Sequence, residues 1–317
     1  MKRKTMLEMV NEYIRYKNDL GFDYSSKVFA LRSFAKFADE YAFGKPLTIS
    51  LALRWATLSK AGHKRHIARV DILRPLAEYL CIIDPRTELI PRKILGPRYP
   101  RPEPYIYSNT EIIRLMGTEA YIPKRKRCNN TFSTIIGLLA CSGMRIGEVL
   151  SLRRRDIDWN QKTIVVRNSK NLPMRLVPLD PSTMIQLLLF SRRWHGKQTK
   201  MGDEPFFISL DEGFIPYDNF LRAWQRVLVK IDMAKKHHGK NPRMHDLRHT
   251  FACNQLLRAY KEKRNIDTTI SMLSVYLGHQ SVEKTYWYLT GIPALLELSG
   301  KRFEEYIKNQ RKKSKSS

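Results

Sequence analysis

Five prolines fall within fourteen residues, from Pro91 to Pro104, interleaved with Arg92, Lys93, Arg98 and Arg101. Proline lacks a backbone N–H and fixes φ, so neither a helix nor a central strand can run through such a stretch. A chain of 317 residues interrupted there must build its packing on either side. This predicts a domain over residues 1–90, a basic, semi-rigid linker over 91–107 and a second domain over 108–300. The 43% of hydrophobic residues suffices for two cores. Ser108, with Glu111 three residues on, has capping-box spacing and marks where the second domain's first helix starts.

Before the linker the apolar spacing is helical. Leu7, Val10, Tyr13 and Ile14 form one stripe, and Phe29, Leu31, Phe34, Phe37 and Ala38 a second. Gly44-Lys-Pro46 breaks the pattern, and two more helices follow over 51–58 and 66–80. Lys60, His63, Lys64, Arg65 and Arg69 lie on their polar side. After the linker, helices are expected over 131–140, 146–152, 184–194, 217–233, 245–259, 266–277 and 282–289. Residues 163–167 and 174–179 alternate as strands around a turn, which reads as a hairpin. The fold class is therefore mainly α with a small β-hairpin sheet: a helical first domain followed by a mixed α/β second domain.

Lys and Arg number 57 against 30 Asp and Glu, a formal charge of +27 and a pI near 10.0. Such an excess repels itself in the folded state unless a polyanion relieves it, and nucleic acid is the expected partner. Residues 301–317 hold seven Lys or Arg against two Glu and read as a disordered, phosphate-seeking tail. No apolar run approaches the roughly 20 residues that span a bilayer, and the N-terminus lacks the apolar stretch of a secretion signal. Cys81, Cys128, Cys141 and Cys253 are scattered, which argues against a zinc site or disulfide framework and for the cytoplasm. Cys141 and Cys253 read as small core residues. No Walker-type glycine loop occurs, so no nucleotide cofactor is expected.

Several residues are of the types that handle a phosphodiester. Arg145 follows a Ser-Gly turn at a helix start, where a guanidinium can grip a phosphate beside backbone donors. Glu148, three residues on, is placed to orient it or simply to pair with it. His245 and Arg248 are three apart on one helix and share a face. His249 is assigned a structural place elsewhere. His279 follows Gly278, and a left-handed glycine there would turn the imidazole into a cleft. Lys170 sits in the hairpin turn, from which an ammonium group could reach a leaving oxygen as general acid. Tyr288 is one of fifteen tyrosines, distinguished only by lying nine residues after His279.

These segments, in this order, resemble the tyrosine recombinases, or phage integrases. Cys141-Ser-Gly-Met-Arg-Ile-Gly-Glu-Val-Leu-Ser-Leu152 is similar to the family's first-arginine box, with Met144 where leucine is commoner. Lys170 with Arg175-Leu-Val-Pro-Leu179 resembles the hairpin-lysine segment, and Met244-His-Asp-Leu-Arg-His-Thr-Phe-Ala252 the His-x-x-Arg box. Leu277-Gly-His279 followed by Tyr288 resembles the closing histidine and nucleophile; spacing favours Tyr288 over Tyr286. The resemblance implies a metal-free attack of Tyr288 on DNA, giving a 3′-phosphotyrosyl link and a free 5′ hydroxyl. Arg145 and Arg248 would match the phosphate charge and His245 would accept the phenol proton. Lys170 would protonate the departing oxygen, and His279 would hydrogen-bond the phosphate. It further implies a two-domain clamp on double-stranded DNA with specific target sites, a homo-tetramer in the synapse, and possible accessory proteins. The segment with Ile292, Leu295, Leu296 and Leu298 would pack either on a neighbouring protomer or on its own core. A type IB topoisomerase-like enzyme and a catalytically silent DNA-binding regulator stand as alternatives.

Overall fold

The computed structural model describes residues 4–60, 62–96, 103–118, 129–167, 174–195, 202–209, 213–279 and 281–290. Lys170, the leucine-rich segment after residue 291 and the basic tail lie outside these residues. The chain divides into two compact units, Met1–Pro102 and Glu103–Ser317. Ile90, Ile94 and Leu95 pack on the core of the first, and Tyr105, Ile106 and Tyr107 on the cores of the second. The described ends of the proline-rich stretch are thus each tied down by apolar burial.

The first unit is four helices, α1 (Met6–Asp19), α2 (Ser25–Ala42), α3 (Ile49–Thr57) and α4 (His63–Ile83). Thr5 starts α1 with a capping box: its hydroxyl accepts from the Glu8 N–H at 3.1 Å, and the Glu8 carboxylate accepts from the Thr5 N–H at 2.7 Å. The expected first stripe is buried as Met6, Val10, Tyr13 and Ile14. In α2, Leu31, Phe34, Ala35 and Ala38 face inward, but Phe29 is 87% exposed. Residues two apart on a helix point in opposed directions, so Phe29 cannot share a face with Leu31. On α4, Arg69 lies over the Trp55 ring at 3.9 Å, a cation–π contact that holds its charge at the surface of this unit.

The second unit carries α5 (Asn109–Gly117), α6 (Asn129–Ser142) and α7 (Ile146–Leu150). A three-stranded antiparallel sheet follows, in the order β1 (Ile157–Asp158), β2 (Thr163–Val166), β3 (Arg175–Pro178). Then come α8 (Pro181–His195), α9 (Tyr217–Lys230), α10 (His245–Lys261), α11 (Ile266–Leu277) and α12 (Glu283–Thr290). Ser108 caps α5 with Glu111 as its spacing predicts. The hairpin pairs Thr163 with Pro178 and Val166 with Arg175; β1 was not anticipated, because two residues are too few to show alternation. Ile164, Val166 and Val177 point into the core, and on β3 Arg175 falls on their side by the period of two. Cys253 is buried, but Cys141 is exposed, with the Thr183 hydroxyl 3.6 Å from its sulfur. Among the described residues no helix is long and apolar enough to cross a membrane.

Candidate active site

Five of the six residues singled out from the sequence sit on described parts of the second unit, and the structure gathers them. Helix α6 ends at Ser142, and Gly143 reverses the chain with φ +61°. Arg145 then occupies the N-cap of α7. Arg248 lies one turn into α10 and is 2% exposed. Its Nη1 donates to the Gly143 carbonyl at 2.9 Å, and its Nη2 donates to the Leu277 carbonyl. One residue further, the Gly278 carbonyl accepts from Arg145 Nη2 at 3.1 Å. Gly278 closes α11 in the left-handed conformation, φ 65° and ψ 55°. The C-terminal end of a helix, with its carbonyls unsatisfied and partly negative, is thereby used to seat two guanidiniums.

The two cations act on each other. Burial lowers the Arg248 guanidinium to about 10, the charge of Arg145 lowers it next, and the ionised form of Tyr288 opposes them. Arg145 is balanced on its other side by Glu148. That carboxylate accepts from Arg145 Nη1 at 2.8 Å and from the Arg145 N–H at 2.9 Å. It also accepts from Arg175 Nη1 at 2.9 Å and Nη2 at 2.7 Å. Burial pushes Glu148 upward, but the bonds and charge of Arg175 and the bonds of Arg145 outweigh it and hold the carboxyl at about 2.

Around Tyr288 stand two imidazoles. The His279 ring is 6.0 Å away and near parallel, at 27°. It follows the left-handed Gly278 and is fixed by its Nδ1, 2.7 Å from the hydroxyl of the buried Thr285. The His249 ring meets Tyr288 edge-on at 5.2 Å, and His245 meets His249 at 5.0 Å. His249 therefore belongs to this cluster rather than elsewhere: one turn from His245 on α10, it faces α12, which packs against α10. His245 is exposed at the first position of α10. The packed protein behind it, and then the charge of Arg248, lower its imidazole to about 4, against the pull of Asp246. Tyr288 itself is buried with Phe251, Cys253, Leu256 and Leu273. Tyr286, its rival in sequence, is 43% exposed and donates to Asp267 at 3.0 Å.

Sequence reasoning missed Arg175 as a member of this group, though it falls within the hairpin segment. The signal that was available is its register: two residues before Val177, it falls on the core side of an alternating strand. Lys170 falls outside the described residues, so its place relative to the cluster is not shown. Among the described residues no group of three or more His, Cys, Asp or Glu is arranged to hold a metal ion.

The seat of Arg248 depends on Gly143. A Cβ there would lie 2.5 Å from Phe251 Cδ1 and 3.1 Å from Leu277 Cδ2, on a backbone that L side chains rarely adopt. Gly143→Ala is expected to cost about 2–4 kcal/mol from the left-handed backbone and the crowding together. That would lower the thermal midpoint by roughly 5–15 °C. Gly147→Ala, where an added Cβ meets nothing within 4 Å, should leave it unchanged or raise it slightly. Equal midpoints for the two variants in differential scanning fluorimetry would refute this account of Gly143.

Residues 108–291 match the phage integrase family. Over 307 residues the chain is 33% identical to a Sinorhizobium fredii protein provisionally named integrase/recombinase y4rB, covering 95% of this chain and 97% of that one. The tyrosine recombinase XerA of Thermococcus kodakarensis is 25% identical over 264 residues, 81% of this chain and 83% of the relative. Among solved structures, the Tn1549 transposon integrase in complex with a circular intermediate DNA aligns with TM-score 0.65 at 15% identity, covering 95% of this chain and 99% of that one. XerH bound to its difH substrate aligns with TM-score 0.62 at 16% identity, over 96% and 98%; at such identities the likeness speaks to the fold. With the order of the motifs, the architecture and the relatives in agreement, the chain belongs to the phage integrase family, the tyrosine recombinases.

Proposed function

We propose that Tyr288 is the nucleophile of a site-specific DNA recombinase, cutting and rejoining strands through a 3′-phosphotyrosyl intermediate. The phenolic oxygen bonds to phosphorus as the bond to the 5′ oxygen breaks. The phenol proton passes to His245, and the departing oxygen takes a proton from Lys170. Rejoining runs the same steps backwards, and the ester conserves the energy of the broken bond. The observation that carries this reading is the pair of guanidiniums, Arg145 and Arg248, seated on carbonyls at one helix end beside the Tyr288–His279 pair. Two neighbouring cations gain most from an anion between them, and phosphoryl transfer builds negative charge on the nonbridging oxygens. His279 donates to that phosphate.

The partner is double-stranded DNA carrying specific target sites, and the working assembly is a tetramer of this chain on two such sites, in the cytoplasm. The DNA complexes of the aligned Tn1549 integrase and XerH support the partner. The test is to trap the adduct on a nicked duplex bearing the site, digest it, and identify the nucleotide-bearing peptide by mass spectrometry. A peptide containing Tyr288 is expected; one bearing the nucleotide on another residue, or no adduct, overturns the reading. Holliday junctions formed from two duplexes separate strand exchange from topoisomerase-like relaxation.

A proton acceptor must be neutral when the reaction begins, and the depressed value of His245 meets that need. Because the folded value of about 4 lies below the ordinary 6.5, the ring stays neutral until the pH falls towards 4. The cleavage rate at subsaturating DNA, which reports the free enzyme, should therefore keep its plateau through pH 6.5 and fall only nearer 4. Half-loss at pH 6.5 would remove His245 from this role. The same shift makes His245 a contributor to stability above pH 6.5 that is lost as the pH falls towards 4, because the unfolded chain binds the proton first.

A further inference from the structure

We propose that Arg175, on β3, is a positioning residue: acting through Glu148, it sets the Arg145 guanidinium in the direction that grips the scissile phosphate. This rests on the reading of Arg145 as a phosphate ligand. The Arg175 side chain is 10% exposed and that of Glu148 4%, so their pairing is shielded from water. Each oxygen of Glu148 accepts one N–H from Arg175 and one from Arg145. A carboxylate offers about four lone-pair sites, and these four bonds fill them. Turning the carboxylate to suit Arg145 alone would break the Arg175 fork, so the plane that Arg145 leans on is fixed from β3.

Arg175 also reaches the other support of the cationic pair. Its Nε donates at 3.1 Å to the Tyr276 carbonyl. The next two carbonyls, Leu277 and Gly278, are the ones that hold Arg248 and Arg145. One side chain thereby braces both the acid that orients Arg145 and the helix end that seats the two guanidiniums. The charges support the same role. Two arginines around one carboxylate leave a net single positive charge, and Arg145, at 35% side-chain exposure, is the more open of the two. Lysine would keep the charge of Arg175 but not the planar fork that engages both oxygens.

The experiment compares adduct formation at Tyr288 on two duplexes bearing the recombination site. One has the ordinary scissile phosphodiester; the other has a methylphosphonate, in which a methyl group replaces one nonbridging oxygen and removes the negative charge. An aligned guanidinium gains little on the neutral ester. Arg175→Lys is expected to slow cleavage of the phosphodiester by about 10²-fold, the scale of a misplacement near 1 Å. On the methylphosphonate the slowing should stay below roughly tenfold, since a charge-assisted bond is what has been lost. The ratio of the two rates within one preparation does not depend on the folded fraction, so a less stable variant still reads out. Arg175→Met, which lacks charge as well as fork, should shift that ratio at least as far. Equal slowing on both duplexes, or no slowing on either, overturns the role of Arg175. Failure of the unaltered protein to form the Tyr288 adduct on either duplex overturns instead the reading on which it rests, and the proposal with it.

Discussion

Tyr288→Phe should abolish the covalent DNA adduct, lowering the cleavage rate by a factor on the order of 10⁴ or more, as loss of a sole nucleophile does. It should leave DNA affinity almost untouched. The change removes one oxygen and keeps the ring, which is 3% exposed and packed among Phe251, Leu256 and Leu273. Losing a buried hydroxyl costs about 0.5–1.5 kcal/mol, too little to unfold the unit. Affinity for DNA is spread over many cations and follows salt concentration more than any single group. Tyr286→Phe is the matched control, since its hydroxyl faces Asp267 at the surface. Denaturing gels after incubation with a nicked substrate, beside mobility-shift titrations, measure both quantities. A shifted band from Tyr288→Phe, or its loss from Tyr286→Phe, would reassign the nucleophile.

The second large effect is on stability. Glu148→Gln leaves Arg145 and Arg175 facing each other around a neutral amide that accepts with one oxygen only. Removing one partner of a buried ion pair costs about 3–5 kcal/mol, and the thermal midpoint should drop by roughly 10 °C. The dependence on pH gives a sharper reading. Glu148 is held at about 2 in the folded chain against an ordinary 4.5. Its contribution is therefore complete above pH 4.5 and is lost as the pH falls through 2. The difference between the parent and Glu148→Gln should be constant from pH 7 to 5 and narrow below 4.5. A difference that instead widens as acid is added would contradict the sign of this shift.

Local rules made much of the second unit readable in advance. Ser108 and Glu111 announce the start of α5 three residues apart, and Gly278 announces the end of α11. Both are features that a few neighbouring atoms decide. The Arg145, His245, Arg248, His279 and Tyr288 segments could be picked out because their order and spacing are those of a known family. What neighbouring residues do not decide stayed hidden. Arg175 and Glu148 are 27 residues apart, and Arg175 and Tyr276 are 101 apart. Nothing in the alternation of β3 says which of its side chains reaches which carbonyl. His249 could not be placed beside Tyr288 without knowing that α12 packs on α10. The exposure of Phe29 and the exposure of Cys141 share another cause. An apolar residue in a helical segment reaches the core only where its angle around the axis matches that of its inward-facing neighbours.

The bonds of Arg248 also set an order of events. They run back 105 residues to Gly143 and forward 29 to Leu277, while the helices of the first unit close entirely within residues 6–83. A chain leaving the ribosome completes that small helical body long before the last partner of Arg248 exists. The seat of Arg248 therefore cannot form until residues as far as Leu277 have left the ribosome.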